Sequence, residues 1–322
     1  MEQVINFGKV GKDDVEKIVI SSKKASASIL TYGATLQAFK AFGVDIVVGS
    51  EDPSKFDNSK SHMGQVVGPF ANRIKGASFT LNGEKYDLTV NNNSNCLHSG
   101  TANYGNKIWK VTELEKDRVK LTYSSEENAG GFPGMQDVSV TYTLKGSRLL
   151  IEYAVVATKP CPFNITNHAY FNLNGDNSDI LDHEIKLNAP HYVEVNKELI
   201  PTAVLPVMDT DFDFTTPHKI RERRDGKYDH CFLFGDKKRG YLTNGKIKLF
   251  FETDLPGVQI YTGEFLTIEN GKHGDVGAFG GVAIETEFMP DSPNHPEYPG
   301  FVLVPGKEFR TFTSYEVEPY EC

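Results

Sequence analysis

Short runs of β-branched and aromatic residues, separated by turn residues, occur along almost the whole chain. Asn82-Gly83 and Asn244-Gly245 each stand between two such runs, and Lys145-Gly146-Ser147 joins the run 138–144 to the run 149–156. Asn-Gly pairs favour tight hairpins because both residues tolerate the positive φ angles that two-residue turns need. Helical periodicity is scarce by comparison. The pattern therefore indicates antiparallel strands joined by hairpins.

The number and spacing of these runs indicate an all-β protein, either a sandwich or a barrel, and not a sheet that alternates with helices. Only a stretch such as 217–224 could form one or two helical turns. The runs extend from about residue 15 to the C-terminus without a linker, a low-complexity segment or a clear repeat. We therefore expect a single domain over residues 1–322, with a core large enough to need no disulfides.

Charge, cysteine usage and hydropathy exclude several classes of protein. The net charge of −9 argues against partners that are nucleic acids or anionic membranes. The N-terminal residues are not followed by the apolar segment of a secretion signal, and the longest apolar stretch, 149–157, is too short to cross a bilayer. Cys96, Cys161, Cys231 and Cys322 form no CxxC pair. These features predict a cytoplasmic protein with reduced thiols.

One predicted strand near the C-terminus, within 281–290, carries acidic side chains in an otherwise apolar run. Because side chains alternate along a strand, Val282 and Ile284 share one face while Glu285 and Glu287 share the other. Carboxylates in a strand that is at least half buried are costly unless they are paired, hydrogen-bonded or used in chemistry. Glu285 is therefore a candidate general base.

Three polar segments offer partners for such a base. Asn72-Arg73 provides several hydrogen-bond donors for sugar hydroxyls or an anion, although the arginine could instead pair with a surface acid. His98 follows a run of asparagines that predicts a polar loop, where a histidine can also simply be solvated. His168 lies among apolar and amide residues. It could be a general acid or a core histidine satisfied by the backbone.

Two further segments each place one polar side chain among apolar and aromatic neighbours, namely Asp229 and Gln259. No P-loop is present, and the glycines of 271–281 do not match a dinucleotide-binding fingerprint. His98, His168 and Asp229 could form a metal site, but the chain has no HExxH or similarly close ligand pair. We therefore expect neither a metal nor another cofactor.

Taken together, these segments resemble the aldose 1-epimerase, or galactose mutarotase, family over nearly the whole chain and in the same order. The segments that carry the resemblance include Gly68-Pro69-Phe70-Ala71-Asn72-Arg73, Leu97-His98-Ser99-Gly100, Thr166-Asn167-His168-Ala169-Tyr170, Tyr228-Asp229-His230, Pro256-Gly257-Val258-Gln259 and Ile284-Glu285-Thr286-Glu287. The resemblance implies a large antiparallel β-sandwich with few short helices and a sugar cleft. It also implies interconversion of the anomers of hexoses such as galactose and glucose.

The resemblance further implies roles for individual residues. Glu285 matches the general base, His168 the general acid, and His98 a second histidine near the ring oxygen. The positions that match or adjoin substrate-binding positions are Asn72, Arg73, Tyr170, Asp229 and Gln259. The base and the acid are expected on opposite sides of the sugar. The partner would be a small aldose, and nothing in the sequence demands more than a monomer or a weak dimer.

Three residues depart from the family pattern: Ser99 replaces a frequent glycine, Cys231 a frequent asparagine, and Glu287 a common glutamine. Glu287 should disfavour ionisation of one carboxyl on its face. Three other functions remain open. The pair Glu285 and Glu287 would suit a glycoside hydrolase, and the same cleft could serve a non-catalytic sugar-binding protein. An epimerase of hexose 6-phosphates would need further cations, for which the cluster 221–224 is the candidate.

Overall fold

The protein, described here by a computed structural model over residues 3–56 and 61–320, consists of antiparallel β-sheets. In these two ranges the helices are single 3-10 turns of three residues, and no helix is long and apolar enough to cross a membrane. The 3-10 turns are Pro53–Lys55, Lys75–Ala77, Gly100–Ala102, Tyr104–Asn106, Ala129–Gly131, Ile220–Glu222, Arg224–Gly226 and Ser292–Asn294. The all-β prediction is confirmed.

Three sheets make up most of the fold. The nine-stranded sheet has the spatial order Lys110–Glu115, Arg118–Ser124, Gln136–Lys145, Arg148–Ala157, Phe309–Pro319, Ile247–Thr253, Arg239–Thr243, Glu184–Leu187 and His218–Lys219. The six-stranded sheet has the order Tyr170–Phe171, Val282–Glu287, Gly257–Tyr261, Asp229–Leu233, His191–Val195 and Pro201–Pro206. The five-stranded sheet runs in sequence order through Val4–Val10, Asp13–Ser21, Ala25–Leu30, Thr35–Ala41 and Val44–Asp45.

Five two-stranded ladders complete the described strands. They pair Arg73–Ile74 with Cys96–Leu97, Val66–Val67 with Thr166–Asn167, Cys161–Pro162 with Val302–Leu303, Ser78–Leu81 with Glu84–Asp87, and Ile268–Gly271 with Gly274–Val276. The predicted hairpin at Asn82-Gly83 is confirmed, and both residues have positive φ, as a type I′ turn requires. The stretch 217–224 contains a two-residue strand, one complete 3-10 turn and the first residue of another.

The six-stranded sheet packs with one face on the nine-stranded sheet, which makes a sandwich. The hydroxyl of Tyr315 donates a hydrogen bond to the carbonyl of Ile284 over 2.9 Å, and its ring lies 4.8 Å from that of Phe171. Ile284 is fully buried between the two sheets. The other face of the six-stranded sheet is free to carry a site. Of the cysteines, Cys96, Cys161 and Cys231 are buried free thiols, and Cys322 lies outside the described residues.

A buried ion pair fixes the hairpin 268–276 to the five-stranded sheet. The Lys272 ammonium lies 2.7 Å from the Asp45 carboxylate and donates to the carbonyl of Gln37 over 2.8 Å. Both side chains are less than a tenth exposed. The carboxylate of Asp45 also accepts the backbone N–H of Phe39. The pair therefore joins two distant parts of the chain through groups that are removed from water.

We expect Lys272→Met to lower the free energy of unfolding by about 3–5 kcal/mol, because it leaves a buried carboxylate without its cation. Urea denaturation of the parent and the variant measures the loss. Lys9→Met is the control, since Lys9 and Asp14 form an exposed pair and should contribute little. Asp45→Asn added to Lys272→Met should recover part of the loss. Equal stability of the parent and Lys272→Met would contradict this account.

Candidate active site

A cleft of about 280 Å³ opens over the free face of the six-stranded sheet. This volume lies near the lower end of the range of about 300–1,000 Å³ that is typical of small-molecule sites. The residues that line it are His62, Asn72, Arg73, Leu97, His98, His168, Tyr170, Leu199, Asp229, Gln259, Tyr261, Phe265 and Glu285. All eight residues named as site candidates from the sequence are among them. The fold thus brings together residues from six distant segments.

Strand alternation and register explain the floor of the cleft. Glu285 lies directly opposite Gln259 on the neighbouring strand, and Tyr261 lies opposite Asp229 on the next. Cross-strand partners share a face of the sheet, so these four side chains line the same side. Ile284 points the other way, into the sandwich. The alternation predicted for this strand is confirmed, although the strand is buried on both faces.

The carboxylate of Glu285 and the imidazole of His168 are in direct contact. His168 Nε2 lies 3.5 Å from Glu285 Oε1, and both side chains are almost fully buried. This differs from the expectation that the two groups stand on opposite sides of a sugar, because no ring fits between them at this distance. The ring oxygen and the anomeric oxygen of an aldose are both bonded to C1. Two groups this close can therefore act on the same edge of the ring.

Burial sets the protonation of this pair. It raises the pKa of Glu285 well above its usual range, and the neighbouring charges of Glu287 and Asp229 raise it further. Burial lowers the pKa of His168 to about 3. Both shifts favour the neutral form of each group, which is a protonated carboxyl on Glu285 and an imidazole with a single N–H on His168. Glu285 Oε2 and His168 Nδ1 are buried without a hydrogen-bond partner among the described residues.

The backbone of Asn72 fixes the tautomer of His98. The backbone N–H of Asn72 donates to His98 Nδ1 over 3.1 Å, and the backbone N–H of His98 donates back to the Asn72 carbonyl over 3.0 Å. Since Nδ1 accepts a hydrogen bond, the proton of the neutral ring is on Nε2. Burial lowers the pKa of His98 well below its usual range and keeps the ring neutral. His98 is therefore a hydrogen-bond donor.

The possible metal ligands that lie close together are His98, His168 and Glu285, whose ligand atoms are within 4.8 Å of one another. This set contains Glu285 in place of Asp229, which the sequence had suggested. A metal needs an imidazole nitrogen with a free lone pair. The lone pair of His98 Nδ1 already accepts the backbone N–H of Asn72, and His98 Nε2 carries a hydrogen. Binding a metal through Nε2 would place a protonated Nδ1 against the Asn72 N–H. The donor set therefore fits a metal poorly.

Asn72 and Arg73 are held by a network behind the floor of the cleft. Asn72 has a left-handed backbone, and its amide donates to Glu287 Oε1 over 3.1 Å. Its amide oxygen accepts the backbone N–H of Arg73 over 2.8 Å. The guanidinium of Arg73 donates to Asn92 over 3.1 Å. These bonds fix Arg73 beside the cleft, with an amide and not a surface acid as its hydrogen-bond partner.

The three departures from the family pattern lie around this network. Glu287 is fully buried and does not line the cleft. Burial raises the pKa of its carboxyl well above the usual range, and the nearby charge of Asp229 raises it further. Ser99 has a left-handed backbone, the conformation that suits glycine, and its hydroxyl accepts from and donates to the backbone of Phe70. Cys231 packs in a small apolar cluster with Met289. Each departure is accommodated without reaching the cleft.

Asp229, Gln259 and Tyr170 occupy the remainder of the floor. The amide of Gln259 donates to Asp229 Oδ1 over 2.6 Å, while burial raises the pKa of Asp229. The amide oxygen of Gln259 is buried without a partner in the described structure. The ring of Tyr170 lies 5.0 Å from that of His168. These side chains present amide, carboxyl and phenol groups to a polar ligand.

Sequence reasoning missed five lining residues, which are His62, Leu97, Leu199, Tyr261 and Phe265. Leu97 and Tyr261 lie within or beside the motifs already quoted, so their neighbours could have indicated them. His62 stacks edge-on against His98 at 4.9 Å, and burial lowers its pKa. Neither its local sequence nor those of Leu199 and Phe265 signal a site.

A family model described as aldose 1-epimerase matches residues 16–316. The chain belongs to the aldose 1-epimerase family. Rat galactose mutarotase is 34% identical over 333 residues, with 96% of each chain covered. The aldose 1-epimerase of Escherichia coli K12 is 32% identical, with 90% of this chain and 91% of the relative covered.

Solved structures agree with this assignment. An aldose epimerase homologue from C. elegans superposes with a TM-score of 0.90 at 28% identity and covers 95% of this chain and 99% of its own. A galactose 1-epimerase from Lactobacillus acidophilus superposes with a TM-score of 0.88 at 22% identity, with 99% and 98% covered. At this identity, the Lactobacillus structure shows only that the two proteins share a fold. Aldose 1-epimerases are isomerases that act on sugars, and the expectation of an enzyme of this class is confirmed.

Proposed function

We propose that this aldose 1-epimerase interconverts the α- and β-anomers of free hexoses such as galactose and glucose, with Glu285 as base and His168 as acid. The observation that carries the proposal is the buried contact between these two groups on the floor of a polar cleft. The names of the relatives, galactose mutarotase and aldose 1-epimerase, support the reaction. One base and one acid at one edge of an aldose are what ring opening requires.

The reaction is a balanced pair of proton transfers. Glu285, as carboxylate, takes the proton from the anomeric hydroxyl, and a C1=O1 double bond forms. The C1–O5 bond breaks, and its electron pair accepts a proton from the imidazolium of His168 at O5. Rotation about C1–C2 and the reverse steps then give the other anomer. The starting ion pair arises when the carboxyl proton of Glu285 passes to His168 across their contact, so no proton from solvent is needed.

The remaining site residues bind and orient the sugar in this proposal. The Nε2–H of His98 donates toward the ring oxygen, where negative charge develops as the C1–O5 bond breaks. Residues that bind the other hydroxyls are Asn72, Arg73, Tyr170, Asp229 and Gln259. The amide oxygen of Gln259, which has no hydrogen-bond partner in the described structure, would accept a hydrogen bond from a sugar hydroxyl. Fixed orientation of this kind lowers the barrier by holding the reacting edge against both proton carriers.

The geometry disfavours two of the alternative functions. A glycoside hydrolase that used the pair Glu285 and Glu287 would need both carboxyls at the substrate, but Glu287 is buried, accepts a hydrogen bond from Asn72 and does not line the cleft. A phosphosugar epimerase would need cations, and Arg73 is the only arginine or lysine among the described residues that line the cleft. Of the 221–224 cluster, Arg221 pairs with Asp182 at 3.1 Å away from the site. An assay of turnover distinguishes the third alternative, a non-catalytic sugar-binding protein, from an enzyme.

Polarimetry tests the proposal directly. The protein should speed the change in optical rotation of freshly dissolved α-D-galactose or α-D-glucose well beyond the spontaneous rate. Galactose binding in calorimetry without any acceleration would show a binding protein instead. Release of reducing sugar from a galactoside would show a hydrolase.

Chelation should leave the activity unchanged, because the tautomer of His98 opposes metal binding and the proposed proton transfers need no Lewis acid. Polarimetric rates before and after dialysis against EDTA provide the measurement. The control is the parent protein dialysed against buffer alone. A large loss that one added metal restores would overturn the proposed metal-free mechanism.

We also propose that residues 1–322 form one domain and that the protein is a cytoplasmic monomer or weak dimer. A single large cluster of buried apolar residues includes both Ile18 and Val317, which supports one domain. The three described cysteines are free thiols, which supports a reducing compartment. Light scattering and fractionation of cells test these statements.

A further inference from the structure

Glu287 is a buried acid that the proposed reaction does not use. It follows Glu285 by two residues on the same strand, so both side chains face the same side of the sheet, but only Glu285 lines the cleft. Glu287 Oε1 accepts a hydrogen bond from the amide of Asn72 over 3.1 Å, and Oε2 has no hydrogen-bond partner among the described residues. A buried carboxyl is costly to a fold, so its presence beside the base calls for an explanation.

The chain just after the strand of Glu287 lies behind the segment that carries Asn72 and Arg73. The backbone N–H of Asp291 donates to the Arg73 carbonyl over 2.9 Å, and the carboxylate of Asp291 accepts the backbone N–H of Lys75 over 2.9 Å. These two bonds use the backbone of the segment and fix its path. The bond to Glu287 starts instead from the side chain of Asn72, which lines the cleft.

Asn72 connects the carboxyl of Glu287 to two other residues of the cleft. Its amide oxygen accepts the backbone N–H of Arg73 over 2.8 Å, and its backbone N–H donates to His98 Nδ1 over 3.1 Å. Asn72 has a φ of 67°, a conformation that residues other than glycine adopt mainly where contacts support it. Among the described residues, Glu287 is the only distant partner of the Asn72 side chain. The placement of His98 and Arg73 therefore depends on this contact.

The protonation of Glu287 makes its carboxyl similar to an amide. Burial and the nearby charge of Asp229 hold the pKa of Glu287 well above its usual range, so the carboxyl is neutral. Because Oε1 accepts from Asn72, the proton of the neutral carboxyl is on Oε2. Glutamine has the same shape and the same acceptor, and it should keep the contact. Methionine has a similar length but removes the acceptor.

We propose that Glu287 is a positioning residue, which holds the side chain of Asn72 and thereby keeps His98 and Arg73 in place beside the bound aldose. Glu287 does not line the cleft and acts through Asn72. The identity of the ligand rests on the proposed function. Loss of the contact should lower kcat, because His98 donates toward the ring oxygen, and raise KM, because Asn72 and Arg73 bind hydroxyls.

Kinetics of Glu287→Met and Glu287→Gln test the proposal. With D-galactose, Glu287→Met should lower kcat/KM roughly 10²-fold, because small displacements of positioned groups have effects of this size. Glu287→Gln should restore kcat/KM to within about threefold of the parent, because it keeps the acceptor. In an Asn72→Ala background, Glu287→Met should cause no more than about a further twofold loss, since both changes break one contact. A full further loss, or an unchanged kcat/KM in Glu287→Met, would overturn the role.

Gln136→Met is the matched control for a general loss of structure. Gln136 is also a buried polar side chain, whose amide donates to the Pro133 carbonyl and accepts from the hydroxyl of Ser125, but it does not line the cleft. Its replacement should lower the urea midpoint and leave kcat and KM unchanged. An equal fall of kcat/KM in Gln136→Met and Glu287→Met would overturn the positioning role.

The tautomer of His98 provides a readout that needs no turnover. ¹⁵N NMR distinguishes a ring nitrogen that carries a hydrogen from one that does not, and the signals of His98 are those missing from His98→Asn. In the parent and in Glu287→Gln, only Nε2 should carry the hydrogen. In Glu287→Met, His98 should become a mixture of both tautomers. This result in a protein without mutarotase activity would support the positioning and contradict the proposed reaction. An unchanged tautomer in Glu287→Met would contradict the positioning, even in an active enzyme.

Discussion

Glu285→Gln is expected to slow anomer interconversion by roughly 10²- to 10⁴-fold, because the amide cannot accept the proton of the anomeric hydroxyl. The substitution keeps the shape of a side chain that is 2% exposed, so the fold and sugar binding should survive. Polarimetry measures the rate, and calorimetric titration with galactose measures the binding. A variant as fast as the parent would end the assignment of Glu285 as the base.

Stability against pH provides an independent readout of the same substitution. The folded-state pKa of Glu285 is raised above its ordinary value of 4.5, so the native state binds this proton more tightly than the unfolded state. The parent should lose stability relative to Glu285→Gln as pH rises from about 4.5 through the folded-state pKa. Urea midpoints for both proteins at several pH values measure this difference. A constant difference across that range would contradict the raised pKa.

His168→Asn is expected to reduce kcat by a similar factor of roughly 10²–10⁴, since asparagine cannot carry a proton to the ring oxygen. The variant should also respond differently to acid. The pKa of His168 is lowered to about 3 from 6.5, so the unfolded state binds its proton first as pH falls. The parent therefore loses stability below about pH 6.5, and His168→Asn should lose less of it.

His183→Asn is the matched control for this substitution. His183 is also buried, with a pKa lowered to about 4, but its Nε2 accepts the backbone N–H of Leu173 and it does not line the cleft. Its replacement should reduce stability and leave kcat unchanged. If both histidine variants lowered kcat equally, the effect would be a general loss of structure. If His168→Asn retained full kcat, His168 would not be the acid.

Local patterns in the sequence predicted several strands and the face of the sheet over which the cleft opens. Alternation around Glu285 predicted which residues face the sheet's free side, and Asn82-Gly83 predicted its hairpin. Both depend on interactions between neighbours in sequence or across one turn. The motif around His168 likewise identified a residue of the cleft. These features are encoded over a few residues, so sequence alone can reveal them.

Features that depend on long-range packing could not be predicted. The 3.5 Å contact between Glu285 and His168 depends on the pairing of two strands that are more than 100 residues apart in sequence. The tautomer of His98 depends on the backbone of Asn72. Phe265 has no local signature, because its place in the cleft lining follows from the position of a turn that is hydrogen-bonded to Tyr261. Each requires the three-dimensional arrangement of separate loops.

The alternation of Ile284 and Glu285 between the two sides of one strand also limits how this stretch can change in length. Deleting a single residue just before Glu285 would shift the following side chains by one place relative to their partners. Glu285 would then turn toward the dry interior of the sandwich, and Thr286 would take its place at the cleft. Only an insertion or deletion of an even number of residues in this strand keeps Glu285 on the cleft side of the sheet. The loops between strands can change in length by any number of residues without this restriction.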